Sequence, residues 1–262
     1  MTNPQGTPIW YELLTDDPAR IAPFYKATMD WTVAAHSDPG VTGMDYRMME
    51  RAGGGFAGGV MTLNEQMKSG GARPAWLIYF GVDDVDASTA QAQSLGASVH
   101  MPPTTMEGVG RMAMLADPQG APFYLMRGHM EGDSDVYSGM KPGGCAWNEL
   151  SSSDAPAAVE FYRALLGYGI DNFMPMGDAG KYTFIEIDGQ AIGAIGPCMQ
   201  RENPTAWLPY FRTAGTIGAA KQAVEANGGA VHFGPMEVPG GDWIVIGADP
   251  AGAAVGFIGT KD

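Results

Sequence analysis

Alternating apolar–polar stretches, each followed by a segment of helical period, recur along the chain. Residues 8–15 are rich in aromatic and aliphatic side chains at period two and predict a strand. Asp17 then stands as a helix N-cap, with Pro18 at the first helical position. Ile21, Phe24, Tyr25 and Thr28 follow at i, i+3, i+4 and i+7 and give one buried helix face. Gly-punctuated strands are expected near 45–50 and 55–62, and another over 75–82. A helix from Asp84 to Leu95 stops at Gly96, and strands near 97–101, 111–116 and 121–127 complete the pattern.

The pattern then repeats. Trp10-Tyr11-Glu12-Leu13 and Phe24-Tyr25 return as Trp147-Asn148-Glu149-Leu150 and Phe161-Tyr162, both at an offset of 137 residues. Ala75-Trp76-Leu77 and Tyr79-Phe80 return as Ala206-Trp207-Leu208 and Tyr210-Phe211, and Ala116-Asp117-Pro118 with Gly120 returns as Ala248-Asp249-Pro250 with Gly252. Strands near 181–187 and 191–196 repeat those of the first half. The expected fold is α+β: four βαβββ modules forming two cupped mixed-sheet domains. The expected domains are 5–128 and 144–262, joined by a polar, Gly-rich linker over 129–143.

Charge narrows the function. A net charge of −14 disfavours phosphate-contact binding to nucleic acid or to an anionic membrane. No signal-like start and no membrane-length apolar run is present, so a soluble cytoplasmic protein is expected. The two cysteines, Cys145 and Cys198, form no CxxC pair and predict neither a disulfide framework nor a cysteine zinc site. A small-molecule ligand is the expected partner, and the chain is compatible with a monomer or a homodimer.

Three motifs carry a family resemblance: strand–Asp–helix with Phe-Tyr, Val82-Asp83-Asp84-Val85-Asp86-Ala87, and Asp117-Pro118-Gln119-Gly120. In this order and repetition they resemble the vicinal oxygen chelate superfamily, the glyoxalase/bleomycin-resistance/dioxygenase fold. The W-x-E-L starts are similar to its tandem two-domain glyoxalase-like and hydroxylase-type subgroup. The resemblance implies small-molecule chemistry that ranges from isomerases, lyases and dioxygenases to drug-sequestering proteins. Metal-using members place His, Gln or Glu at one cleft position per module. Here those positions fall on Trp10 and Trp147, Gly59 and Ala194, Leu77 and Leu208, and Tyr124 and Gly256. No metal and no other cofactor is therefore expected. His36, His100, His129 and His232 show no metal-binding spacing and read as structural histidines.

Other chemistry has to come from the same face. Alternation turns Tyr11 and Leu13 toward the helix and Trp10, Glu12 and Leu14 toward the cupped side, with Trp147 and Glu149 repeating this. A carboxylate in an apolar wall is suited to acid–base work, but the same Glu could equally fix strand geometry through hydrogen bonds. Glu12, Tyr46 and Tyr124 are the expected catalytic groups. Trp10, Met48, Gly59, Leu77, Tyr79, Met126, Trp147, Glu149, Tyr182 and Tyr210 are the expected substrate-binding residues. Trp76 and Trp207 should point away from the cup and pack. The leading expectation is metal-independent carboxylate acid–base chemistry of the isomerase or lyase type, on a small apolar or aromatic molecule. The rivals are a drug- or metabolite-sequestering protein and a metal-dependent lyase or dioxygenase.

Overall fold

The computed structural model describes residues 3–41, 43–139, 141–198 and 205–262. The first half runs β1 (Pro8–Thr15), α1 (Pro18–Met29), β2 (Trp31–Val33), β3 (Tyr46–Arg51), β4 (Phe56–Thr62), α2 (Glu65–Ser69), β5 (Ala75–Gly81), α3 (Val85–Ser94), β6 (Ser98–Met106), β7 (Gly110–Ala116) and β8 (Pro122–Gly128). The second half runs β9 (Cys145–Ser152), α4 (Ala155–Leu166), β10 (Phe173–Pro175), β11 (Lys181–Ile187), β12 (Gln190–Pro197), β13 (Ala206–Thr216), α5 (Ile217–Ala226), β14 (Ala230–Glu237), β15 (Trp243–Ala248) and β16 (Ala254–Thr260). The strands form two eight-stranded sheets ordered β2-β3-β4-β1-β5-β8-β7-β6 and β10-β11-β12-β9-β13-β16-β15-β14. Both sheets are mixed: β1 and β4, β5 and β8, β9 and β12, and β13 and β16 run parallel, and the outer strands antiparallel. The fold is therefore the expected α+β arrangement. Among the described residues no helix is long and apolar enough to cross a membrane.

The helices begin where the sequence caps them. Asp17 accepts from Ala19 N–H and Arg20 N–H, and Pro18 opens α1. Asp154, Asp84 and Thr216 cap α4, α3 and α5 in the same way. Thr216 explains how the fourth quarter starts its helix without the Val-Asp-Asp motif.

Backbone contacts divide the chain into two compact units. One holds residues 1–9, 78–134 and 147–208, and the other holds 10–77, 135–146 and 209–262. We call them unit 1 and unit 2. Unit 1 thus combines the second and third quarters of the repeat, and unit 2 combines the first and fourth.

Each unit is closed by the same buried relay. In unit 2, Trp76 Nε1 donates to Tyr25 Oη (3.1 Å), which donates to Asp249 Oδ2 (3.0 Å). In unit 1, Trp207 Nε1 donates to Tyr162 Oη (2.9 Å), which donates to Asp117 Oδ2 (3.2 Å). The other oxygen of each aspartate ties its own turn, Asp117 to the N–H groups of Gln119 and Ala121, and Asp249 to those of Ala251 and Ala253. Burial raises both aspartates above their ordinary range, and it holds both tyrosines protonated, with the aspartate charge adding to the effect. The repeated Phe-Tyr and Asp-Pro-x-Gly motifs are therefore the two ends of one tertiary lock. Trp76 and Trp207 pack, as alternation predicts. Around the locks lie edge-to-face aromatic cores: Tyr11, Trp31 and Phe211 in unit 2, and Phe80, Phe123 and Tyr162 in unit 1.

Candidate functional site

In unit 2, β1 buries Tyr11 and Leu13 on one face and places Trp10 and Glu12 on the other. Glu12 is paired with Gly59 on β4, and Gly59 with Met48 on β3. Trp10 Nε1 donates to Tyr46 Oη at 2.7 Å. A Cβ on Gly59 would lie 2.1 Å from that oxygen. Glycine is what lets the Tyr46 hydroxyl settle over the strand that carries Glu12's partner. Glu12 is only 2% exposed, while Trp10, Tyr46 and Met48 are half-buried. Leu77 is fully packed.

Phe56, at the start of β4, stands 6.2 Å from Trp10, centroid to centroid, and is 40% exposed. It adds an aromatic wall that the strand reading missed. A single large aromatic inside the Gly-rich hairpin 53–59 was the available signal. Gly59→Ala should expel the Tyr46 hydroxyl and cost about 1–3 kcal/mol, the usual price of overpacking. A lower urea midpoint with a shifted tryptophan emission is expected. An unchanged midpoint and spectrum would contradict this packing.

Unit 1 repeats the arrangement at a different depth. Trp147 Nε1 donates to Tyr182 Oη (2.9 Å), which donates to Glu149 Oε2 (2.7 Å). Burial, followed by the charge of Glu149, pushes the Tyr182 hydroxyl far above its ordinary value, so it remains a donor. Phe184 occupies the place that Met48 takes in the first half, with its ring 6.0 Å from Trp147 and 5.9 Å from Tyr182. Trp147, Glu149, Tyr182 and Phe184 are all partly exposed.

The remaining expected residues lie on β5, β8 and β13. In unit 1, Tyr79 and Tyr124 are strand partners and stack at 4.1 Å with their planes 4° apart. Both rings are buried, as is Met126, which pairs with Met112. In unit 2, Tyr210 pairs with Gly256 and lies directly on it: a Cβ there would be 2.3 Å from the ring. The glycine that replaces the second tyrosine is filled by the first. The structure thus gathers Trp10, Glu12, Tyr46, Met48, Gly59, Leu77 and Tyr210 into unit 2, and Tyr79, Tyr124, Met126, Trp147, Glu149 and Tyr182 into unit 1.

The positions that the family resemblance assigns to metal ligands hold indole, leucine, alanine, glycine and phenol groups, a donor set that does not fit a divalent transition ion. Among the described residues, no three His, Cys, Asp or Glu side chains come together as a metal-holding group. The four histidines are exposed.

Comparison with known proteins adds four matches. The sequence model of the Glyoxalase/Bleomycin resistance protein/Dioxygenase superfamily matches residues 8–125. The anthracycline biosynthesis protein DnrV of Streptomyces peucetius is 31% identical over 98% of this chain and 94% of its own. Among solved structures, the Mn(II)-bound glyoxalase of Novosphingobium aromaticivorans aligns with a TM-score of 0.66 at 15% identity, over 98% of this chain and 83% of its own. The 2,3-dioxygenase LapB of Pseudomonas sp. KL28 aligns with a TM-score of 0.64 at 13% identity, over 99% and 94%. At those identities the two structures share the fold.

Proposed function

Since the chain belongs to the glyoxalase/bleomycin resistance protein/dioxygenase superfamily, we propose that it acts on a small, planar aromatic molecule by metal-independent proton transfer, with Glu12 as acid and base. The observation that carries this reading is the depth of Glu12, 2% exposed in a wall shared with Trp10 and Tyr46. Removing a carboxylate from water removes the hydration that competes with a substrate proton. Glu12 takes a proton from a substrate carbon and returns it at another atom, as an isomerisation or elimination requires. Tyr46, whose oxygen accepts the Trp10 N–H, donates to the substrate oxygen on which negative charge develops. Trp10, Met48 and Phe56 supply flat apolar surface beside it, and Gly59 gives the room. A relative named for anthracycline biosynthesis supports the choice of substrate class, since anthracyclines are fused-ring aromatics.

Anthrone and 1-tetralone, aromatic ketones that carry an acidic C–H, test the reading. Each should quench tryptophan emission and take up deuterium from D2O faster with protein than without, as read by proton NMR. Binding without any exchange would instead support sequestration, and no binding of either ketone would overturn the aromatic substrate class.

A further inference from the structure

The second half has changed its copy of the site in two ways. Phe184 stands where the first half has Met48, and Glu149 is partly exposed where Glu12 is buried. Three rings therefore cluster within unit 1, and the partly exposed Glu149 is tied to them through the Tyr182 hydroxyl. Trp147 and Phe184 meet at 77°, and Tyr182 and Phe184 at 89°, so the rings form the walls of a corner rather than a stack. The polar edges of two of these rings are already engaged: the Trp147 N–H is given to Tyr182, and the Tyr182 hydroxyl is given to Glu149. What the corner offers a ligand is π-faces and negative charge. Ring faces carry a negative quadrupole and attract cations, most strongly where water is partly excluded. A neutral aromatic would gain stacking alone, and an anion would be repelled.

We propose that Trp147, Tyr182, Phe184 and Glu149 form a separate binding site for a methylated ammonium group carried on an apolar body. A methylated ammonium suits the corner better than a primary one. It needs no acceptor for every N–H, and it spreads its charge over the methyl groups that touch the rings. The net charge of −14 favours its approach. The site shares with the preceding proposal only the small-molecule reading, and it involves none of the residues assigned to proton transfer.

Benzyltrimethylammonium tests the assignment, with benzyl alcohol as the uncharged control, both followed by calorimetric titration. Wild-type protein should bind the ammonium and bind benzyl alcohol at least about tenfold more weakly, the scale of one desolvated cation–π contact or ion pair. Glu149→Gln, which keeps the shape, should weaken ammonium binding about tenfold. Phe184→Leu should weaken it several-fold, to roughly the same order, without touching the Trp147–Tyr182–Glu149 chain. Glu160→Gln on α4 removes one charge elsewhere in unit 1 and should leave the affinity unchanged. Thermal melts check that each variant is folded. Equal affinity of wild type and Glu149→Gln, or equal binding of the two probes, would overturn the proposal. So would an equal loss in Glu160→Gln, which would mean that only net charge matters. Wild-type protein that binds the ammonium but exchanges no deuterium into either ketone would refute the proton-transfer reading alone, and the reverse pattern would refute this one alone.

Discussion

Glu12→Gln should lower proton-transfer turnover by about two orders of magnitude or more, within the range that a positioned acid–base group contributes. The amide keeps the shape and most of the hydrogen-bonding capacity of the carboxylate but cannot take up the proton. Stability should move by about 1 kcal/mol or less, because a neutral isostere introduces no unpaired buried charge. Binding of anthrone should persist, so the loss falls on kcat rather than KM. Glu149→Gln should leave this turnover near wild type, since Glu149 lies in unit 1 and is partly exposed. Deuterium-exchange rates of the two variants separate these outcomes. Intact exchange in Glu12→Gln would make the repeated W-x-E-L motif architectural.

Tyr162→Phe should cost about 2–4 kcal/mol, because one lost hydroxyl leaves both Trp207 Nε1 and Asp117 Oδ2 without that partner in a buried site. The effect should be seen as a lower urea midpoint with an unchanged slope. Alkaline titration gives a second readout. Folded Tyr162 and Tyr25 hold their protons well above the ordinary value, while an unfolded tyrosine releases its proton near pH 10. Above about pH 10 the folded state therefore binds more protons than the unfolded state, and stability falls as pH rises. Below that point the contribution is fully present. Burial raises Tyr137 and Tyr182 as well, so Tyr162→Phe removes one of at least four such groups and should make the alkaline fall shallower by about a quarter or less. An undiminished slope would mean that Tyr162 does not titrate as a buried group.

The elements with a period long enough to read were legible. β1 spans the residues that alternation gives, α1 begins where Asp17 and Pro18 place it, and α3 and α4 begin at the Asp84 and Asp154 of their motifs. The short pieces were not legible: β2 and β10 have three residues each and α2 has five, too few to show a period. β6 runs on to Met106, past the expected stop at 101, through Pro102 and Pro103. Proline breaks an inner strand, but β6 is an edge strand with a register shift at Met101–Thr104, where a missing donor is tolerated. The pairing of the quarters left no local trace. Tyr25 and Asp249 lie 224 residues apart, and nothing in either motif names the other. At the candidate site, alternation put Trp10 beside Tyr46, and Trp147 beside Tyr182, on the predicted faces. Depth was not readable: identical W-x-E-L motifs yield a buried Glu12 and an accessible Glu149, because depth depends on the strands and loops that pack above them.

Metal dependence is the most direct test of the central claim. Wild-type protein is dialysed against a chelator, and deuterium exchange into anthrone is measured before treatment, after it, and with Mn(II) or Fe(II) restored. The account predicts the same rate in all four samples. A rate abolished by the chelator and recovered with either metal would contradict it.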